Sequence, residues 1–272
     1  ADLTAGGERA QKWLPKGVTE YGSLKAILPV DVFGQPAEYD AINTIAENYH
    51  LKVIEDSCEA LGGEYKGRKA GMLGDFGVFA FYPNKQITVG EGGMIVTDDD
   101  EAAVLMESLR NQGRAVGDTW LQHTRLGYNY RLDELSAALG AVQMKRLPEL
   151  LEKRAKVAGW YEDGLKGLDA LLLPQLTPSC TDVSWFVYVV RLAAGLDRTM
   201  VAEQLAQRGI PTRPYFSPIH LQPYMVEQFG YQPGDYPVTE MLGERNLAIP
   251  FSGSMTVEQV SQVCQGLWDV LG

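Results

Sequence analysis

Cysteine and histidine are both scarce in this chain of 272 residues, with three of each. Cys58, Cys180 and Cys264 lie far apart, no CxxC occurs, and the usual zinc spacings are absent. An odd, scattered set of thiols builds no disulfide framework, so reduced, packed cysteines in a cytoplasmic protein are expected. His50, His123 and His220 are too dispersed to suggest a metal site. Positive charge is short as well: 24 Lys+Arg against 35 Asp+Glu leave a net charge of −11. A nucleic-acid groove needs clustered Lys and Arg, so nucleic acid is not an expected partner. No run approaches the ~20 apolar residues of a membrane span, and the opening ADLTAGGERAQKW has no apolar signal core, so no membrane is expected either. GxxxxGKS/T, GxGxxG, HExxH and GxSxG are all missing, which removes the common phosphate-loop, dinucleotide, zinc-protease and serine-hydrolase readings.

What is present is enough apolar residue, 45%, for a substantial core, in a length that suits one large domain or two modest ones. The first two thirds alternate strand-like and helix-like segments. Ala26 to Val32 is an apolar run ending at the turn signal Phe33-Gly34-Gln35-Pro36, with Pro29 arguing against a central strand there. Tyr39, Ile42, Ile45, Ala46 and Tyr49 recur at helical spacing, and a second strand around Val53-Ile54 stops at the acids Glu55 and Asp56. Strand, helix, strand over such a short stretch predicts a βαβ unit with parallel strands. Two further strands, Gly77–Tyr82 and Gly93–Thr97, follow a tight turn within Glu64–Gly71, and a helix is expected from about Glu101 to Arg110. The acid run Asp98-Asp99-Asp100 reads as a solvated turn and helix cap.

After a polar loop from Asn111 to Asn129, Asp133 is a candidate N-cap for a long helical stretch with Leu132, Leu135, Leu139 and Val142 on one face. Pro148 suits the first turn of a second helix, which runs to about Gly164–Gly167. The organisation then changes. Trp185–Leu192 reads as a strand, Thr199–Arg208 as a helix closed by Gly209, and Tyr215–Tyr236 as an ordered Pro- and aromatic-rich loop. A last helix opens at the capping box Thr256–Gln259 and buries Val260, Val263, Leu267 and Leu271. The expected architecture is α/β: a large domain over residues 1–150 with a mostly parallel sheet, then a connecting helix and a small α+β domain over 151–272.

Two strand ends carry candidate chemistry. Asp56 stands at the carboxyl end of the Val53-Ile54 strand, where ligands of open α/β sheets collect, although an isolated Glu-Asp pair is more often a cap or a surface acid. Lys85 stands between an aromatic strand and the glycine-rich Gly90-Glu91-Gly92-Gly93, and its ordinary reading is a solvated loop lysine. Partial desolvation would make its amine a nucleophile. A Schiff-base cofactor needs such a lysine and a carboxylate that holds its pyridinium nitrogen protonated. Spacing alone leaves the two readings about equal.

The wording around these residues decides. Val53-Ile54-Glu55-Asp56-Ser57-Cys58-Glu59-Ala60-Leu61-Gly62, then Phe79-Ala80-Phe81-Tyr82-Pro83-Asn84-Lys85-Gln86 and Gly90–Gly93, closely resemble the DegT/DnrJ/EryC1/StrS family. Ile27–Val30, Phe33–Pro36, Gly127-Tyr128-Asn129-Tyr130-Arg131-Leu132, Ala137–Gly140 and Pro218-Ile219-His220-Leu221-Gln222-Pro223 match in the same order, from about residue 25 to the C-terminus. The resemblance implies an aspartate-aminotransferase-type fold (fold type I) and pyridoxal-phosphate-dependent transamination of a keto sugar, nucleotide-linked, with glutamate as donor. It implies amino-sugar biosynthesis for cell-envelope polysaccharide in a cytoplasmic homodimer with shared active sites. It also assigns roles: Lys85 bonds covalently to the cofactor and moves the proton, Asp56 pairs with the ring nitrogen, and Glu59 lies beside the ring. Asn129 reaches the phosphate of the neighbouring subunit's cofactor. Arg131 is a candidate for the donor's carboxylate, with a structural role as the alternative, and Tyr215 and His220 border the sugar-nucleotide pocket. The family's dehydratase branch has His where this chain has Lys85, which argues against that branch.

The sequence departs from the family in two places. Ala80 stands where many members have a serine for the cofactor phosphate, and no match to the family's N-terminal glycine-threonine loop or ring-stacking aromatic is found before residue 25. These departures lead to the expectation of a fragment of a longer protein, or of a form with lost cofactor affinity. They also motivate the alternative of a non-catalytic regulatory or assembly protein on the same scaffold.

Overall fold

The structure, a computed structural model, describes residues 2–14, 18, 22–115, 117–120 and 122–272. Chain contacts divide it into two units. The first holds Ala26–Leu151 and Pro178–Phe186, and the second holds the described residues up to Lys25, Glu152–Thr177 and Val187–Gly272. Two short helices, α1 (Asp2–Ala5) and α2 (Gly7–Gln11), open the chain and belong to the second unit.

In the first unit β1 (Ala26–Ile27), α3 (Tyr39–Tyr49) and β2 (Lys52–Asp56) form the expected βαβ unit with β1 parallel to β2. β1 is shorter than its apolar run because Pro29 breaks the ladder, and the chain rejoins the sheet only at a bridge between Val30 and Asp56. Tyr39, Ala46, Leu51, Val53, Tyr65 and Leu73 pack between the helix and the sheet as one core cluster. β3 (Glu64–Tyr65) and β4 (Arg68–Lys69) make the tight hairpin. β5 (Phe76–Ala80) then lies parallel to β2, and β6 (Gly93–Val96) antiparallel to β5, giving the order β1-β2-β5-β6. The second strand does not stop at its acids. It runs through Glu55 and Asp56, and the Glu55 side chain is fully buried. Its carboxylate accepts the N–H of Gly71 at 2.7 Å and those of Leu73 and Gly74, so the loop before β5 replaces the water the charge has lost.

Asp99 caps α4 (Asp100–Arg110) by accepting the Ala102 N–H, as its acidic run suggests. Residues 116 and 121 of the following loop lie outside the described set. Asp133 caps α5 (Glu134–Lys145), and α6 (Leu147–Leu165) carries Pro148 in its first turn. The apolar face expected on α5 is not packed: Leu135, Leu139 and Val142 are 86%, 48% and 58% exposed.

β7 (Leu171–Leu172) belongs to the second unit, and β8 (Cys180–Asp182) returns to the first, adding to the β3–β4 hairpin in the order β4-β3-β8. The strand expected from Trp185 begins only at Tyr188, as β9 (Tyr188–Leu192), because Ser184 is held by the first unit. α7 (Arg198–Gln207), β10 (Arg213–Pro214), α8 (Pro223–Phe229), α9 (Pro237–Arg245), β11 (Asn246–Ile249) and α10 (Val257–Leu271) complete the second unit. Its sheet is antiparallel in the order β10-β11-β9-β7. The 215–236 stretch is therefore more than a loop, since it holds α8, begun by Pro223 at a position that needs no N–H. The capping box at Thr256 and Gln259 is formed, and Val260, Val263 and Leu267 are buried, with Leu271 only partly so.

Candidate active site

β2 and β5 are adjacent and parallel, so the residues that leave their carboxyl ends emerge at one edge of the sheet. β2 delivers Asp56, and the tight turn after it, closed by the Ala60 N–H donating to the Ser57 carbonyl, presents Cys58 and Glu59. β5 ends at Ala80, so no side-chain hydroxyl is offered there, and the turn after it, closed by the Lys85 N–H donating to the Tyr82 carbonyl, presents Lys85.

Lys85 and Glu59 meet. Lys85 Nζ lies 3.6 Å from Glu59 Oε1 and 4.4 Å from the centroid of the Phe186 ring. The two charged side chains are only 14% and 15% exposed. The amine is largely shielded from water, against the solvated-loop reading, and it faces a carboxylate and an aromatic face, both of which attract positive charge. Glu59 is itself held, because its Oε2 accepts the Phe33 N–H at 2.8 Å. Asp56 Oδ1 accepts the Cys58 N–H at 3.2 Å. Burial, and then the hydrogen bond and charge of Asp56, push the Cys58 thiol up to about 12, with Lys85 pulling the other way. Cys58 is thus a neighbour of the site and not its nucleophile.

Four residues not singled out in the sequence hold this centre. Asp31 is fully buried behind it and accepts hydrogen bonds from the Ala37 N–H, the Tyr39 hydroxyl and the Ser57 hydroxyl. Its N–H donates to the Asp56 carbonyl at 3.0 Å. Burial raises its pKa, and the charge of Asp56 adds to that effect. Gln86, buried beside Lys85, donates through Nε2 to Ser184 Oγ at 2.7 Å and to the Glu59 carbonyl at 2.5 Å. Ser184 Oγ donates in turn to the Leu61 carbonyl at 2.7 Å, and its N–H to the Gly34 carbonyl at 3.0 Å. The segment that carries Phe186 over Lys85 is thereby fastened at three points. Its closeness requires glycine at position 34, where φ is 96° and an added Cβ would fall 1.7 Å from the Ser184 carbonyl oxygen. Buried polar residues beside a strand end are a usable signal for Asp31 and Gln86, whereas Ser184 and Phe186 read as part of a later strand.

Asn129 and Arg131 gather elsewhere in the same unit. Both are exposed, Asn129 forms a backbone bridge with Asn111, and Arg131 Nη1 donates to Asn111 Oδ1 at 2.8 Å. Tyr215 and His220 belong to the second unit. The Tyr215 ring lies 4.3 Å from that of Phe216, and His220 Nε2 lies 3.0 Å from Glu240 Oε1 with its ring edge-on to Tyr236. His220 is only 7% exposed and its Nε2 already has a partner.

The model of the DegT/DnrJ/EryC1/StrS aminotransferase family matches residues 14–268. A GDP-perosamine synthase of Caulobacter vibrioides is 38% identical over 250 residues, covering 91% of this chain and 66% of the relative. A DegT DnrJ EryC1 StrS aminotransferase from Brucella abortus superposes with a TM-score of 0.83 at 31% identity, covering 92% of this chain and 65% of that one. An E. coli GDP-4-keto-6-deoxy-D-mannose-3-dehydratase, solved with bound hydrated pyridoxal phosphate, superposes with a TM-score of 0.81 at 27% identity over 92% of this chain and 68% of that one. The chain spans about two thirds of the length of the curated relatives it matches. Among the described residues no helix is long and apolar enough to cross a membrane.

Proposed function

Since the chain belongs to the DegT/DnrJ/EryC1/StrS aminotransferase family, we propose that the protein transfers an amino group to the keto carbon of a nucleotide-linked sugar, with pyridoxal phosphate as cofactor and glutamate as donor. The observation that carries this reading is Lys85 and Asp56 presented from neighbouring parallel strand ends, with the Lys85 amine already held by Glu59.

The donor set fits the cofactor. Its aldehyde needs an amine and its pyridine nitrogen needs a carboxylate, and the site offers one of each at the same edge of the sheet. When bound, pyridoxal phosphate supplies an electron sink for the charge left on carbon when a proton departs. Lys85 Nζ would bond to the cofactor and, once released, carry the proton from the substrate carbon to its new position. Asp56, with Oδ1 steadied by the Cys58 N–H, would keep a proton on the ring nitrogen. Glu59 would hold the Lys85 ammonium in reach of the reacting carbon between transfers. Phe186 would keep water from that amine on one side.

The remaining assignments follow the family. Asn129 would reach the cofactor phosphate across a homodimer interface, Arg131 would hold the donor's carboxylate, and Tyr215 and His220 would border the sugar-nucleotide pocket. A role in amino-sugar biosynthesis accords with the name of the Caulobacter relative, a GDP-perosamine synthase.

The test is to add pyridoxal phosphate, record the visible spectrum, reduce with borohydride and map the modified peptide. A single pyridoxyl group on Lys85, absent from Lys85→Ala, is expected. Scattered labelling of surface lysines, unchanged by that substitution, would refute the assignment.

A further inference from the structure

A polar cavity of about 500 Å³ opens between the end of α4 and the start of α5, wholly within the first unit. Three arginines border it, Arg110, Arg114 and Arg131, the Arg114 guanidinium lying 5.4 Å from the centroid of the Trp120 ring. Two donors on its wall are buried and have no partner among the described residues. One is the hydroxyl of Ser108, a residue only 3% exposed, and the other is Arg114 Nε. A buried N–H or O–H without an acceptor carries the full cost of its lost hydration. Both groups would be satisfied by acceptor oxygens, and the guanidinium fork suits a planar or tetrahedral oxyanion.

The opposing charges are fewer. Glu107 and Glu134 also border the cavity, leaving the three arginines in excess in a chain whose net charge is −11. The carboxyl end of α4 disfavours an anion, but its last carbonyls are already engaged. The Ser108 carbonyl accepts the Gly113 N–H, the Leu109 carbonyl that of Tyr128, and the Arg110 carbonyl that of Tyr130. A helix end so capped acts within a single turn, at about 1 kcal/mol or less, and is outweighed by nearby full charges.

We infer that this cavity binds a small oxyanion, a phosphate or carboxylate group, with Ser108 and Arg114 as its inner donors and Arg110 and Arg131 at its mouth. The inference extends the role proposed for Arg131, but it rests on the cavity and its orphan donors and needs no cofactor. The two oxyanion sources are separated by titrating the chain, without pyridoxal phosphate, by calorimetry against inorganic phosphate and against L-glutamate at matched ionic strength, with sodium chloride as control. Saturable binding of phosphate, of glutamate, or of both in mutual competition is expected, and which of these occurs names the source. Ser108→Ala should weaken that binding severalfold, and Arg114→Gln or the exposed Arg131→Gln by about tenfold or more, with unfolding temperatures recorded for each variant. Heats no different from chloride, or an affinity unchanged in Ser108→Ala and Arg131→Gln, would overturn the inference. Borohydride labelling of Lys85 is unaffected by either outcome, so the two readings fail separately.

Discussion

The approach of Gly34 to Ser184 gives the sharpest test of how the Lys85 centre is held. In Gly34→Ala the new Cβ would meet the Ser184 carbonyl oxygen at 1.7 Å and carbon at 2.6 Å, with the Glu59 carbonyl oxygen at 3.2 Å. All three are backbone atoms, so no rotamer change relieves the clash and the 184–186 segment must move away. That movement breaks the bonds from Ser184 to Gly34 and Leu61 and from Gln86 to Ser184, each worth about 1 kcal/mol. It also uncovers Phe186, which is 3% exposed, at a cost of roughly 2 kcal/mol. Alanine at a positive φ adds roughly 1 kcal/mol. The expected destabilisation is about 6 kcal/mol, a large part of the ~5–15 kcal/mol that keeps a domain folded. Urea unfolding followed by circular dichroism reads this as a shift in midpoint. The control is Gly67→Ala, where φ is 77° but no atom lies within 4 Å of the added Cβ, so only the conformational term of roughly 1 kcal/mol should remain. Equal losses for the two substitutions would refute the idea that the segment is locked against Gly34.

Two further outcomes follow from titration. With its thiol pushed up to about 12 by burial and Asp56, Cys58 should be ionised to only about one part in ten thousand at pH 8; its alkylation by iodoacetamide, read by peptide mass, should be slow and rise with pH, and rapid labelling at pH 8 would contradict the geometry. Glu240 is held below the usual carboxylate range, first by the Gly234 N–H and then by His220. Its folded pKa is depressed, so its stabilisation is present above the unfolded value and is lost as pH falls through the folded one. Glu240→Gln should therefore lower the melting temperature at pH 7 and lose that effect progressively as pH falls from the unfolded value of about 4 downward; the same deficit at pH 3 and pH 7 would count against it.

The parts of this molecule legible in its sequence are those governed by local chemistry. Helical spacing located α3, proline and acid signals located α4, α5 and the start of α6, and the capping box located α10, because each of these depends on neighbours within a turn. The same locality explains the misreadings. Glu55 looked like the end of a strand because acids are normally solvated. Its burial depends on three N–H groups supplied by Gly71, Leu73 and Gly74, whose convergence only the folded loop creates. The apolar face of α5 was legible as a pattern, yet Leu135 and Val142 stand exposed, since periodicity says which face is apolar and not what covers it.

The candidate site divides along the same line. Asp56, Glu59 and Lys85 stand out in the sequence as candidates because each follows a strand in a distinctive run of residues, and parallel pairing of β2 with β5 places those strand ends side by side. What holds Lys85 was not readable, since it comes from chain that returns after a long excursion. Ser184 and Phe186 look like the start of β9, and their role arises only because Gln86 and the carbonyls of Gly34 and Leu61 capture that segment first. Gln86 is the link between the two kinds of information: adjacent to Lys85 in sequence, it reaches across to Ser184 in space. A residue that positions the amine is therefore encoded next to it, while the surface it must grip is encoded far away. Substitutions near Lys85 will be tolerated or not according to whether they keep that grip, and the motif alone does not reveal which they are.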